Sequence, residues 1–163
     1  LLRTETNAGI AQQALLEILG GATGVDRVGV HVIFHSGLHN ERCARLQREW
    51  RRVGFESHVD DPCTESMPIM SFGSMRDALL SNRAQGFVVD NLPFALKVIL
   101  SLLDIRSVVY VPVMVSDELW GFLSLADCRH ERSWNEAELA ALTRLGRELG
   151  AVVARWQDGS AKA

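Results

Sequence analysis

Long apolar runs are missing from this sequence. None approaches the roughly 20 residues needed to cross a bilayer, and no charged-then-apolar leader opens the chain. A cytoplasmic location without membrane insertion of this segment is therefore expected. Cysteine is scarce, at three residues. Cys43, Cys63 and Cys128 form no CxxC pair and no zinc-ligand spacing, which argues against a structural zinc and a disulfide framework. Reduced thiols that behave as small hydrophobes are expected instead. An excess of one charge is also lacking: 17 Lys and Arg face 20 Asp and Glu, for a net charge of −3. That balance excludes nucleic-acid binding by bulk electrostatics. The cluster Arg42, Arg45, Arg48, Arg51 and Arg52 is interleaved with Glu41 and Glu49 and reads as a solvated face. No Ser-His-Asp or Cys-His arrangement is suggested locally. Gly20-Gly21-Ala22-Thr23-Gly24 follows a helix and precedes a strand, the reverse of a phosphate-binding loop, and has no Lys. It reads as a helix stop. Leu1 rather than Met at the start suggests a fragment of a larger protein.

What is present is ordinary globular material, 47% hydrophobic and 23% charged in 163 residues, enough for one core. A first helix is expected from Asn7 to Leu19, with Ile10, Ala14, Leu15 and Ile18 on one face. Val28, Val30, Val32 and Phe34 alternate with Gly29, His31, Ile33 and His35, which defines a strand. Ala44, Leu46, Arg48 and Trp50 alternate with their neighbours as a second strand, and 53–68 reads as a loop containing Pro62 and Pro68. A short helix runs from Ser74, with Ser74 and Asp77 in capping-box spacing and Met75, Ala78 and Leu79 on one side. A short strand at Phe87 to Val89 leads to a helix capped by Asn91 with Pro93 in its first turn. Ser107 to Val115 is nearly all apolar and belongs inside a sheet with both faces covered; Leu119 to Asp127 returns beside it after a hairpin. Ser133-Trp134-Asn135-Glu136 reads as a capping box ahead of a last helix reaching Gln157. Short returns favour an antiparallel sheet with helices on both faces, an α+β domain over 7–157 with a linker or disordered tail at 158–163.

The last helix carries one apolar stripe of Leu139, Leu142, Gly146, Leu149, Val153 and Trp156, the candidate dimer-helix residues, and Leu145 and Val152 add a second. One stripe packs a helix on its own sheet; two require a second surface. Gly146, Gly150 and Ala154 lie four apart and would let another helix come close.

The run Ile105 to Val113, then Trp120-Gly121-Phe122-Leu123-Ser124-Leu125-Ala126-Asp127-Cys128, then Glu131-Arg132-Ser133-Trp134 and Glu138, resembles GAF domains. More narrowly, it resembles those between PAS domains and histidine-kinase or diguanylate-cyclase outputs. Val25 to Val28, Glu49-Trp50 and Leu103 to Ser107 match the same subgroup. The resemblance implies a six-stranded antiparallel sheet. It places the N- and C-terminal helices on one face, often as a homodimer bundle, and a pocket roofed by helices and loops on the other. It implies covalently linked PAS or output domains in the full-length protein, and a sensory domain that is not itself an enzyme, even where the output is a histidine kinase or diguanylate cyclase.

For the pocket, the expected lining is Trp120, Phe122 and Ser124 from one strand face, with Trp50, Phe72, Met75, Phe87, Phe94 and Tyr110 from the other walls. The competing reading makes these a second hydrophobic core. The ligand is unknown. Bilin attachment is not expected, because phytochrome-like members use a cysteine near the middle helices and 91–104 holds none. Heme is not expected either. His31 and His35 sit two apart on one strand, near His39, but read better as a half-exposed face than as metal ligands. The function expected is small-molecule sensing and dimerisation in signal transduction, of the two-component type. The alternatives are a ligand-free structural spacer, or a thiol enzyme of the methionine sulfoxide reductase type. Asp127, Arg132 and Trp134 are expected to orient the last helix.

Overall fold

The computed structural model describes residues 7–38 and 40–161. Five strands form one fully antiparallel sheet in the order β2-β1-β5-β4-β3. They are β1 (Arg27–Ser36), β2 (Glu41–Arg51), β3 (Gln85–Val88), β4 (Ser107–Val115) and β5 (Glu118–Asp127). The sixth strand implied by the resemblance is absent among the described residues. Outside the five strands, Met67 makes a single antiparallel bridge to Ala44, with N–H···O distances of 2.8 and 2.9 Å. Pro68 follows directly and has no N–H with which to extend the ladder. Pro112 sits inside β4 without cost, because β3 pairs only with Ser107 to Tyr110 and leaves that edge open.

Two helices cover one face: α1 (Asn7–Thr23) and α5 (Glu136–Ala161). Shorter elements cover the other: α2 (Pro62–Glu65), α3 (Gly73–Leu80), α4 (Phe94–Leu102) and 3-10 turns at Ile69–Ser71 and Val89–Asn91. The apolar interior therefore falls into two clusters. Leu16, Val28, Val109, Val111, Leu123, Leu142 and Leu149 lie between the sheet and α1/α5. Met67, Met75, Leu96, Leu100, Val108, Tyr110 and Phe122 lie between the sheet and the smaller elements. The strands supply both by strict alternation, Val109 and Val111 one way and Val108 and Tyr110 the other.

Several local expectations shift. Helix α1 runs through Gly20 and Gly21 to Thr23, and Gly24 ends it at φ +72. Gly20 is needed inside the helix because a Cβ there would sit 2.1 Å from the Trp50 ring. The inward face of α1 is Gly9, Leu16, Leu19 and Gly20, so Ile10 and Ile18 are 55% and 67% exposed. Ser74 caps nothing: α3 starts at Gly73 after Phe72, and the Ser74 hydroxyl is buried without a hydrogen-bond partner among the described residues. Asn91 closes a 3-10 turn, and α4 begins after Pro93. Helix α5 continues past Gln157 to Ala161, into the stretch expected to be tail.

The capping box of α5 is real but sits two residues later than read. Asn135 Oδ1 accepts from Glu138 N at 2.9 Å, and Asn135 N donates to Glu138 Oε2 at 3.0 Å. Asn135→Ala is expected to cost about 1 kcal/mol in urea denaturation, whereas Ser133→Ala leaves stability within error. Ahead of the cap, Arg132 stacks on Trp134 at 3.8 Å, its guanidinium donates to the Thr23 carbonyl, and its backbone N–H donates to Ser107 Oγ at 3.0 Å. Asp26, 0% exposed, closes the same end of the sheet. It bonds Arg52 Nε at 3.1 Å, Arg129 Nη2 at 2.7 Å and Cys128 N at 3.0 Å. Burial alone would raise its pKa, but Arg129, the Cys128 N–H and Arg52 outweigh that and hold it below the usual carboxylate value.

The stripe expected to meet another helix is turned inward. Leu142, Gly146, Leu149 and Val153 are buried on the chain's own sheet, with Leu139 and Trp156 packed beside them. Gly146 and Gly150 provide close approach, but to β4. Cβ atoms there would lie 2.4 Å from the Pro112 carbonyl oxygen and 2.2 Å from that of Met114.

Candidate functional site

A narrow cavity lies between the sheet and the roof of α2 to α4. Its floor comes from alternate residues of three strands: His31 on β1, Phe122 and Ser124 on β5, Val108 and Tyr110 on β4. Met67, Met75, Leu100 and Leu103 form the roof. Leu46 and Glu49 of β2, with Arg27, His58 and Thr64, close one end. The space is small: a water-sized sphere can be centred over only about 30 Å³ of it.

The aromatic floor is tightly organised. His31 stacks on Phe122 with centroids 4.5 Å apart and planes 7° from parallel. Tyr110 meets Phe122 edge-on at 5.5 Å. His31 Nε2 lies 3.0 Å from Ser124 Oγ. Gly29 makes room for that pair, since a Cβ there would fall 2.9 Å from the same oxygen. Burial depresses the His31 pKa from 6.5 to about 3, so the ring is neutral. Burial also raises the Tyr110 phenol.

The His31 shift has a measurable consequence. The folded pKa lies below the unfolded one, so between pH 6.5 and about 3 the unfolded chain takes up a proton that the folded chain refuses. Stability contributed by neutral His31 is therefore full above pH 6.5 and is lost on acidification, with a slope of about 1.4 kcal/mol per pH unit. His31→Gln should remove that slope between pH 6 and 4.5 in urea denaturation measured across pH.

At the closed end, Arg27 Nη1 donates to Glu49 Oε1 at 2.9 Å and to the Glu56 carbonyl at 2.7 Å. Glu49 Oε2 accepts from His58 N at 3.0 Å. The Thr64 hydroxyl binds the His58 and Asp61 carbonyls, and the Arg27 guanidinium lies over Phe55 at 5.3 Å. A buried ion pair thus ties the 55–64 segment onto the cavity. Burial first and Arg27 second hold His58 below the usual histidine value.

Of the residues expected at a pocket, Met75, Tyr110, Phe122 and Ser124 line this one. Phe72 and Phe87 pack in the surrounding cluster, Phe87 beside Tyr110 at 6.0 Å. Trp50 and Trp120 lie on the opposite face, with α1 and α5. The cause is a bulge in each strand. The β1–β2 register jumps from Val30↔Arg48 to His31↔Leu46, and the β4–β5 register from Val113↔Gly121 to Met114↔Leu119. Gln47 and Trp120 are the extra residues, and each reverses the facing of what lies beyond it. Phe94 is 82% exposed. It stands two positions from buried Leu96, about 200° around the helix. Arg27, His31, Glu49 and His58 were missed as wall residues. His31 is 7% exposed rather than on an open strand face, and it is separated from His35, which is exposed and bonds Asn40 Oδ1 at 3.2 Å. His39 lies outside the described residues, and among those described no group of three His, Cys, Asp or Glu is placed to hold a metal.

An antiparallel sheet with paired terminal helices on one face and a small-element roof over a cavity defines a class of sensory module. The profile of the GAF domain family matches residues 10–153, and the chain belongs to that family. It is 28% identical over 143 residues to the methanogenesis regulatory histidine kinase FilI of Methanothrix harundinacea, covering 86% of this chain and 16% of that protein. The chain thus spans about a sixth of that relative's length. The domain of a two-component sensor histidine kinase from Sinorhizobium meliloti superposes with TM-score 0.70 at 18% identity, covering 97% of this chain and 99% of that one. The blue-light absorbing PixJ GAF domain of Thermosynechococcus elongatus gives 0.73 at 18% identity, covering 98% and 94%. The chain is therefore a GAF domain related to those of sensor kinases, and its coarse role is signalling. No helix among the described residues is long and apolar enough to cross a membrane.

Proposed function

We propose that this domain senses a small molecule in the cavity, without catalysis of its own, and passes the state to flanking domains through its terminal helices. The observation that carries this reading is an enclosed, mostly apolar cavity in whose wall Arg27 Nε is buried with no hydrogen-bond partner among the described residues. A buried polar atom left unpaired asks for a partner. The route outward is short. Strand β4 presents Tyr110 to the cavity, while its Val111 and the Pro112 and Met114 carbonyls meet Gly146 and Gly150 of α5. A ligand that binds two positions of β4 with different affinity would shift α5. Homodimerisation belongs to the same proposal, with the exposed Ile10, Ala14 and Ile18 row of α1 as its surface, since the inner α5 stripe is buried within the chain.

No described cysteine lines the cavity, which argues against a bilin attached there through a thioether. Thiol chemistry is disfavoured as well. Cys43 is buried, and burial is the first cause holding the Cys63 and Cys128 thiols above their usual pKa. One observation favours a second reading, the ligand-free spacer: the cavity's small free volume.

Native mass spectrometry of the purified chain, against its denatured mass, tests both. A native mass exceeding the sum of subunits, lost on denaturation, supports sensing, and the subunit number reads the dimer directly. A ligand-free mass after gentle purification moves the assignment to the spacer.

A further inference from the structure

One donor in the cavity wall is unpaired. Other polar groups there satisfy one another. His31 meets Ser124 Oγ at 3.0 Å, the Thr64 hydroxyl bonds the His58 and Asp61 carbonyls, and Glu49 accepts from Arg27 Nη1 and the His58 N–H. Arg27 differs. Its side chain is 6% exposed, and its Nη1 donates to Glu49 Oε1 and the Glu56 carbonyl. The Cys128 side chain accepts from the same guanidinium. None of these bonds engages Nε, which is buried with no hydrogen-bond partner among the described residues.

The chemistry of that atom selects its partner. A guanidinium carries donors and no acceptor, so only an acceptor can satisfy it. Left unpaired in a buried wall, it costs free energy that a partner relieves. Water suits the place poorly. An enclosed water needs about two to four polar partners, and much of the wall is apolar, with Met75, Leu100, Leu103 and Phe122. A molecule with an acceptor at one end of an apolar body matches both features. Glu49 already balances the Arg27 charge, so a neutral acceptor suffices, and a carboxylate gains a charge-assisted bond. The free volume of about 30 Å³ limits the molecule to a few heavy atoms, with Met67 and Met75 in the roof able to yield.

We propose that Arg27 Nε anchors the ligand of this cavity, a molecule of a few heavy atoms that carries a carbonyl or carboxylate oxygen on an apolar body. This rests on the sensing function proposed above and names its ligand class. Arg27 Nη1 and Glu49 also hold the 55–64 segment through Glu56 and His58, so the same contact reaches that segment.

Acetate, acetone and 2-methylpropene are trigonal near-isosteres that differ in their acceptor oxygens, and the last has none. They are titrated into the 163-residue chain at mildly acidic pH and followed by ¹H–¹⁵N NMR. Acetate, acetone or both should shift the Arg27 Nε–Hε resonance saturably, and 2-methylpropene should bind at least about 10-fold more weakly than the better of them. The tighter of the two names the ligand as a carboxylate or a neutral carbonyl. Arg27→Lys keeps a cation for Glu49 but puts a methylene where Nε stands, and it should bring the three affinities within about 2-fold of one another. A merely structural role for Arg27 would weaken all three alike and keep their order. Should that variant not fold, the Nε–Hε resonance of the unaltered chain carries the test. 2-Methylpropene binding as tightly as the oxygen compounds, or binding that leaves the Arg27 resonance unmoved, overturns the acceptor contact and leaves the sensing function standing. Acceptor preference kept in Arg27→Lys overturns Arg27 as the anchor. No saturable shift with any of the three overturns the proposal, and with a ligand-free native mass it brings down the sensing function too.

Discussion

Replacing Phe122 with alanine is expected to cost about 3–5 kcal/mol, the largest effect of any single truncation on the roof side of the sheet. Phe122 is wholly buried and heads the fully buried side chains by size. Its ring carries both His31, stacked on its face, and Tyr110, set edge-on against it. The loss combines the removed transfer free energy with a void that β5, paired on both sides, cannot close. Urea denaturation should show it directly, and thermal unfolding should fall by about 6–20 °C. A second readout separates the void from simple unfolding. With water admitted beside His31, the ring should protonate more readily, and the acid-side loss of stability should become shallower than in the unaltered chain. A cost below about 1 kcal/mol would mean that the floor collapses freely and that the aromatic triad is not a rigid platform.

Much of this fold could be read directly, because the relevant signal is local. Alternation in 28–34 and the apolar run of 107–115 define β1 and β4, and each residue's facing follows from the period of two. The residues alone yield the five strands; the sixth was carried by the resemblance. What failed was facing beyond a bulge. One extra residue at Gln47 or Trp120 leaves no mark in composition, yet it moved Trp50 and Trp120 to the helical face and put Glu49 in the cavity wall. Tyr110, Phe122 and Ser124 fall on one face because no bulge lies between them and their partners in 107–113. The Arg27–Glu49 pair was hidden for a different reason. Charged residues at strand ends are usually solvated, and only the 55–64 segment folding back over them makes them interior. Helix α1 misled in the opposite way: its glycines, not its isoleucines, face the sheet, since Gly20 alone admits the Trp50 ring.

The same physics decides what the glycines of α5 are for, and this gives the second large effect. In a helix meeting another helix, Gly146→Ala/Gly150→Ala would remove two poor helix formers and stabilise each monomer by about 2 kcal/mol, changing only association. In this structure the new methyl groups would instead meet the Pro112 and Met114 carbonyl oxygens at 2.4 and 2.2 Å, atoms of sheet backbone that cannot rotate away. Each clash should cost about 3 kcal/mol, the upper end for overpacking. After the gain in helix propensity, the double variant is expected to be less stable by about 4 kcal/mol. It should also lose packing of Leu142, Leu149 and Val153, as α5 is levered off the strand. Urea denaturation at several protein concentrations tells the cases apart. A concentration-independent loss places the glycines on β4, and with them the contact through which a change at Tyr110 would reach the last helix. A gain in stability with weakened association would place them at a subunit interface and remove that route.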